Sequence, residues 1–311
     1  MHTELAASLR HLCDRCRGVV PFDESAMRRL VVSLEGDTRY PPTTFGEYYA
    51  LASALFAGDH RAASRWFERL GRSRPMEVEQ RTGPLKDVES CERSALYHRL
   101  LMGDTDLDLD ILPPPDDVSR EFEERYRRGI RLLERTVPEL AEEIRAIVHE
   151  VVWVVGDPDR ETQFDGGSSY RLWGALFLNA EHHPTEEAIV EVVAHESAHS
   201  LLFGFCIDEP LVYNDEDELF ESPLREDARP MDGIYHATFV SARMHYAMSR
   251  VAESDLPSEK ARARALEACE EDRRNFEAGY GVVAEHGDLS ELGGGLMERA
   301  REYMDAAATP G

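Results

Sequence analysis

The sequence predicts an α+β protein, predominantly helical, in which a small β-sheet packs on a helix carrying an HExxH motif and further helices flank it. Three observations predict this. Apolar and aromatic residues recur at three-to-four spacing over most of the chain. The period then switches to a short β-branched and aromatic run at Val151 to Val155. Beyond it, Pro184-Thr185-Glu186-Glu187 reads as a helix start and leads into His195-Glu196-Ser197-Ala198-His199.

From the N-terminus, residues 1 to 72 read as helices, with Phe45, Tyr48, Tyr49, Leu51, Leu55 and Phe56 in helical register and Trp66, Phe67 and Leu70 continuing it. The polar stretch Ser73 to Glu89 holds the breakers Pro75, Gly83 and Pro84 and is expected to be a loop. Leu112-Pro113-Pro114-Pro115 makes a second break, and helix follows from Asp116, with Pro138 opening the next. Val151 to Val155 is a strand closed by Gly156-Asp157-Pro158. A second strand is expected over Arg171 to Asn179, entered through Gly166-Gly167-Ser168-Ser169. The motif helix, with Thr185 as its N-cap, should run to about Phe203. A loop then covers 207 to 232, and helices follow over Gly233 to Arg250 and Ser258 to Ala278. The tail carries Gly293-Gly294-Gly295 ahead of a short amphipathic run. The expected organisation is a helical N-terminal region, 1–115, a core, 116–250, and C-terminal helices, 251–311.

With 311 residues of which 42 % are hydrophobic, the chain is long enough to bury a sizeable core. Its net charge of −26 repels phosphate, so nucleic acid and anionic membrane are not expected partners. An odd count of five cysteines fits a reducing compartment, and Cys13 and Cys16 form a solitary CxxC without a second pair at zinc-site spacing. With no apolar run of membrane-spanning length and charges at Glu4 and Arg10, a cytoplasmic protein is expected.

Four residues along a helix turn through about 400°, so His195 and His199 share one face, one turn apart. Two neutral imidazoles so placed can hold one divalent metal, with Glu196 to one side, in reach of a metal-bound water or of a neighbouring ligand. A third ligand must come from downstream. The candidates are Glu218, Glu221, His236 and His245. The two histidines are nine residues apart, about 900° of helix, so only one can meet the metal. His236 is preferred, because it falls in the first turns after a long loop that can fold back over the motif helix. In that loop Arg225 and Arg229 stand out as guanidinium groups suited to a carboxylate ligand, or else to pairing with the neighbouring acids Glu226 and Asp227.

Val193 to Leu202, then Ser222-Pro223-Leu224-Arg225 and Asp227 through Ala237, resemble the HExxH-motif proteins encoded beside ribosomally made peptide natural products. The resemblance covers roughly residues 150 to 250. It implies iron(II)- and 2-oxoglutarate-dependent β-hydroxylation, with O2, of a residue in a precursor peptide. It further implies His195, His199 and His236 as metal ligands. The small sheet expected on the HExxH helix, read from the elements themselves, is as in zincin-like cores. Arg225 and Arg229 are chosen by chemistry as the 2-oxoglutarate-binding residues, and Glu196 orients substrate or a ligand, since a hydroxylase needs no base to activate water.

Two other functions use the same residues. Three histidines also suit Zn(II), with Glu196 as the general base of a metallopeptidase acting on a leader peptide. A non-catalytic escort protein with a structural metal would bind peptide without needing His195 or His199 for chemistry. The net charge favours a Lys- or Arg-rich peptide in each case.

Overall fold

The structure is a computed structural model and describes residues 1–103, 107–222 and 227–308. It is predominantly helical with a small mixed sheet. In chain order the elements are α1 (His2–Cys16), α2 (Glu24–Leu34), α3 (Pro42–Phe56), α4 (His60–Gly71), β1 (Arg81–Pro84), α5 (Glu92–Met102), β2 (Ile111–Leu112), α6 (Asp116–Thr136) and α7 (Pro138–Ile147). There follow β3 (Glu150–Gly156), β4 (Gly166–Ser168), β5 (Ala175–Asn179), α8 (Glu186–Phe205), β6 (Leu219–Phe220), β7 (Arg229–Pro230), α9 (Met231–Glu253), α10 (Glu259–His286) and α11 (Glu291–Ala308). The chain forms two compact units. One comprises Met1–Ser119 and Arg145–Ala180, the other Arg120–Ile144 and Glu181–Gly311.

The first unit holds the sheet, in the order β1-β3-β5-β4, with β2 antiparallel to the end of β3. β1 and β5 both run parallel to β3, in register Gly83↔Val152 and Val152↔Phe177. Val151 to Val154 are almost fully buried, so β3 reads as a continuous apolar run rather than an alternating one. Val152, Val154 and Phe177 pack with Leu96, Tyr97, Leu100 and Leu101 of α5. Glu150, 3 % exposed, starts β3 and accepts a 2.6 Å bond from Tyr97 Oη and an ion pair from Arg93. That pairing is what lets a carboxylate sit beside an apolar core.

Three local expectations are corrected here. The stretch 73–89 contains β1, which Arg-Thr-Gly-Pro does not announce because its pairing to β3 uses backbone alone; Pro84 lies at its last position on a sheet edge. The segment expected to lead into a strand, Gly166–Ser168, is itself β4, antiparallel to β5. Tyr170–Leu172 then turn in a 3-10 helix capped by Ser169, and the strand begins only at Ala175. Gly174 makes that turn at φ +90°, and a Cβ there would lie 3.1 Å from the His149 ring, so only glycine suits it. Cys13 and Cys16 lie one turn apart on α1 as free thiols, and burial pushes both pKa values up, Cys13 to about 11, which keeps them protonated.

The second unit is helical, with a core built from Leu202 of α8, Ile234, Tyr235, Phe239 and Val240 of α9, Phe276 of α10 and Met297 and Met304 of α11. The C-terminal triple glycine lies inside α11, contrary to the reading of the tail. A Cβ on Gly293 would lie 2.2 Å from the Leu211 carbonyl oxygen, so no larger residue fits at this position of the helix. The glycine therefore marks a close backbone approach, and Tyr235 Oη donates to the Gly293 carbonyl at 2.9 Å. Gly129 plays the same part between α6 and α8, since a Cβ there would sit 2.5 Å from the Cβ of Ile189. Gly281 of α10 faces open space. We therefore expect Gly129→Ala to lower unfolding stability by about 1–3 kcal/mol through overpacking. Gly281→Ala should raise it by about 0.5–1 kcal/mol, since alanine only improves helix propensity there. Denaturant titration of both variants checks the pair; stabilisation by Gly129→Ala would contradict the close contact.

Candidate metal centre

The helix α8 begins where Thr185 Oγ1 accepts from the Ala188 amide at 3.3 Å, with Glu186 and Glu187 in the first turn beside the positive helix end. Its apolar residues, Ile189, Val190, Val192, Val193, Ala194, Ala198 and Leu202, lie all round the helix, as expected of one buried on every side. His195 and His199 are set one turn apart on it with Nε2 atoms 3.2 Å from each other. Two ligand atoms each about 2.0–2.1 Å from one metal, at tetrahedral to octahedral angles, are about 2.9–3.4 Å apart, so this edge fits.

The third ring comes from α9. His236, 8 % exposed, stacks on His199 at a centroid distance of 5.2 Å and an interplanar angle of 16°, with the two Nδ1 atoms 2.9 Å apart. His245 faces elsewhere: its Nδ1 is 2.8 Å from Tyr303 Oη and its Nε2 is 3.2 Å from Arg273. Of the two helix-phase alternatives, the structure thus gathers His236 with the motif pair. Glu218 is engaged by Asn214 at 3.5 Å, and Glu221 is exposed at the end of β6. Arg225 lies outside the described residues. Arg229, at the entrance to α9, pairs with Asp227 at 3.3 Å.

Burial is the main force on the ring charges. Desolvation, reinforced by the neighbouring His195 and His236, holds His199 well below the ordinary imidazole pKa. His236 is lowered by desolvation against an opposing pull from Asp232, whose Oδ1 is 3.8 Å from its Nε2. Both rings are therefore neutral near pH 7 and able to donate a lone pair. Each close N···N contact must also hold one proton. Three neutral rings meet this with their N–H groups all pointing the same way along the His195–His199–His236 chain.

The surroundings are soft and apolar. Met244 Sδ is 3.4 Å from His195 Nδ1, and the Phe203 ring lies 5.5 Å from His236 and 6.5 Å from His199. Sequence reasoning missed Phe203, Met244 and Asp232, although each has a helical-phase signal. Phe203 is one turn after His199, Asp232 one turn before His236, and Met244 two turns after it. Glu196, 5 % exposed, turns Oε1 to within 3.9 Å of His195 Nε2, the nitrogen on the shared edge.

Among the described residues, no group of three His, Cys, Asp or Glu side chains has its ligand atoms gathered round one point. The reason is visible in the distances: His236 presents Nδ1 to the far nitrogen of His199 rather than to the His195–His199 edge. The donor set suits a divalent metal, and the motif pair has the spacing for it. The third ring is in contact with that pair and must reorient to share their metal. Compared with known protein families and with curated proteins, the chain has no match.

The lowered pKa values make a direct prediction. In the metal-free protein, side-chain NMR at pH 6.5 should find His199 and His236 neutral, with protonation only at lower pH. Their folded pKa values lie below the unfolded value of about 6.5, so their contribution to stability is fully present above that pH and is lost progressively as pH falls from there through the folded values. Protonation midpoints at or above 6.5 would contradict the burial argument.

Proposed function

We propose that the chain is an iron(II)- and 2-oxoglutarate-dependent hydroxylase acting on the β-carbon of a residue in a ribosomally made precursor peptide. The observation that carries this reading is the cluster of His195, His199 and His236, with His199 and His236 held neutral by burial. Three neutral ligands leave the full charge of a divalent ion uncompensated, which favours an anionic, chelating co-substrate, and on an octahedral ion they leave three positions open. A zincin-like core belongs to this proposal.

In this reading His195 and His199 hold the iron through Nε2, and His236 turns from His199 to complete the set. Bound iron with 2-oxoglutarate and O2 supplies the oxidising chemistry, placing one oxygen atom in the C–H bond and the other in succinate as CO2 leaves. The chain's own residues bind and exclude. Phe203 and Met244 give the imidazoles an apolar surround that keeps water from the reacting carbon. Glu196, buried beside His195, orients a ligand or the peptide. The acidic surface draws a cationic peptide, with affinity that falls as salt rises.

One observation favours a second reading. The Glu196 carboxylate lies on the Nε2 side of His195, where the general base of a zinc peptidase would reach a metal-bound water. The two readings separate in one experiment. The purified protein is loaded anaerobically with Fe(II) and 2-oxoglutarate, inspected for the visible charge-transfer band of a chelated 2-oxo acid, and then exposed to O2 with its precursor peptide. We expect the band, succinate release, and a peptide heavier by one oxygen atom. His199→Ala should abolish all three, whereas Glu196→Gln should keep the band. Peptide cleavage that needs Zn(II) and Glu196 and ignores 2-oxoglutarate would overturn the oxygenase.

A further inference from the structure

Resting on the peptide-hydroxylase reading for the identity of the partner, we infer that the surface from Phe205 to Glu221 docks a segment of the substrate peptide in which Lys or Arg residues are interspersed with apolar ones. The sequence holds no Lys or Arg between Arg171 and Arg225. Seven acids fall in this surface, namely Asp208 and Glu209, Asp215 to Glu218, and Glu221, all exposed except half-buried Glu209. Glu209 accepts from Tyr213 Oη at 2.9 Å, Glu218 from Asn214 at 3.5 Å, and Asp215 from the Asp217 amide at 3.0 Å. Among the described residues none of the seven pairs with a Lys or Arg, whereas acids elsewhere, such as Glu123 and Glu277, are paired with Arg127 and Arg301. Apolar side chains stand among these acids. Of the twelve large hydrophobic residues exposed among the described residues, four are Phe205, Ile207, Tyr213 and Leu219, so they are gathered here rather than scattered.

The fold fixes this surface in place. Leu211 and Val212 are buried in the core, and Val212 bridges to Leu289. The Tyr213 amide donates to the Asp288 carbonyl at 2.7 Å, Asn214 bonds His286 and Asp288, and the Phe220 ring stacks on His286 at 5.3 Å. Like charges held this close repel one another, and a partner of opposite charge relieves that repulsion. A cation beside an apolar residue answers both halves of the surface, the acids and the exposed hydrophobic groups. The position suits a substrate. His195 touches Met244 while His199 touches His236, so α8 and α9 run antiparallel and the end of α8 lies beside the start of α9. Phe205 is six residues beyond His199, and Leu219 is in register with Pro230, six residues before His236. Six residues of helix rise about 9 Å, a span that about three residues of extended peptide cover.

The test uses the full-length protein without added metal and measures peptide binding by fluorescence anisotropy at low and at physiological ionic strength. The probes are labelled peptides of equal length that repeat Lys-Leu-Ser, Lys-Ser-Ser or Glu-Leu-Ser. Wild type should bind Lys-Leu-Ser best, Lys-Ser-Ser more weakly and Glu-Leu-Ser not at all. Asp215→Asn/Glu216→Gln/Asp217→Asn/Glu218→Gln should weaken Lys-Leu-Ser binding at low salt by at least about tenfold. Asp255→Asn/Glu267→Gln/Glu270→Gln/Glu298→Gln removes the same charge from exposed positions of the same unit and should change it by less than about twofold. Tyr213→Ser/Leu219→Ser should erase the difference between Lys-Leu-Ser and Lys-Ser-Ser. Every position changed is exposed, so the fold is kept. Equal losses in the two fourfold variants would show attraction to the net charge alone and overturn the docking surface, as would a wild type that binds all three peptides alike or none. These outcomes involve no metal or 2-oxo acid, so they stand apart from the charge-transfer band. A local loss without that band would leave the surface standing and remove the hydroxylase; the band without a local loss would do the reverse.

Discussion

Three imidazoles pack against one another where α8 meets α9, His236 buried and His195 and His199 half-buried, and the conditions of the second unit follow from that. An imidazole is costly to desolvate as a cation, so burial keeps His199 and His236 neutral, and each polar nitrogen must then find a partner in the interior. The rings partner one another, at 2.9 and 3.2 Å, with the Met244 sulfur next to His195 Nδ1. Neutral nitrogens massed in one place are a ready metal donor set. The same rule operates elsewhere in the unit. Asp272 of α10, 2 % exposed, is pushed up to about 8 by burial and the nearby Glu191, and so is largely protonated at neutral pH. Buried Glu187 is paired with Arg264 at 2.9 Å. A chain of net charge −26 thus keeps its excess acid outside and neutralises what it takes in.

Much of this was legible in the residues because helix periodicity and capping are local. Thr185 at its N-cap, Pro138 at a helix start and the one-turn spacing of His195 and His199 are all decided within a few residues. That only one of His236 and His245 can join the motif pair was legible for the same reason, since nine residues on a helix must separate two side chains. What stayed hidden depends on pairing across the chain. Strand β1 exists because its backbone matches β3, about seventy positions later, and nothing in Arg-Thr-Gly-Pro records that partner. The glycines of α11 read only as a triple glycine ahead of a short amphipathic run until the Leu211 backbone is seen against Gly293.

The two arginines show how context decides the use of one residue type. Arg229 lies in a strand of two residues beside an acid two positions away, and local pairing takes it. Arg243 is fixed within a helix, is mostly buried, and reaches its acidic partner on a separate helix. Phe203 and Met244 add the complementary property, an apolar surround in which charge–charge interactions are weakly screened.

The central claim, that His195, His199 and His236 form one metal centre, is tested most directly by X-ray absorption at the metal edge of the reconstituted full-length protein, alone and as His236→Ala. The account predicts one metal per chain with three imidazole nitrogens at about 2.0–2.2 Å in the wild type and two in the variant. A wild-type shell in which a carboxylate replaces the third imidazole, unchanged by His236→Ala, would contradict it.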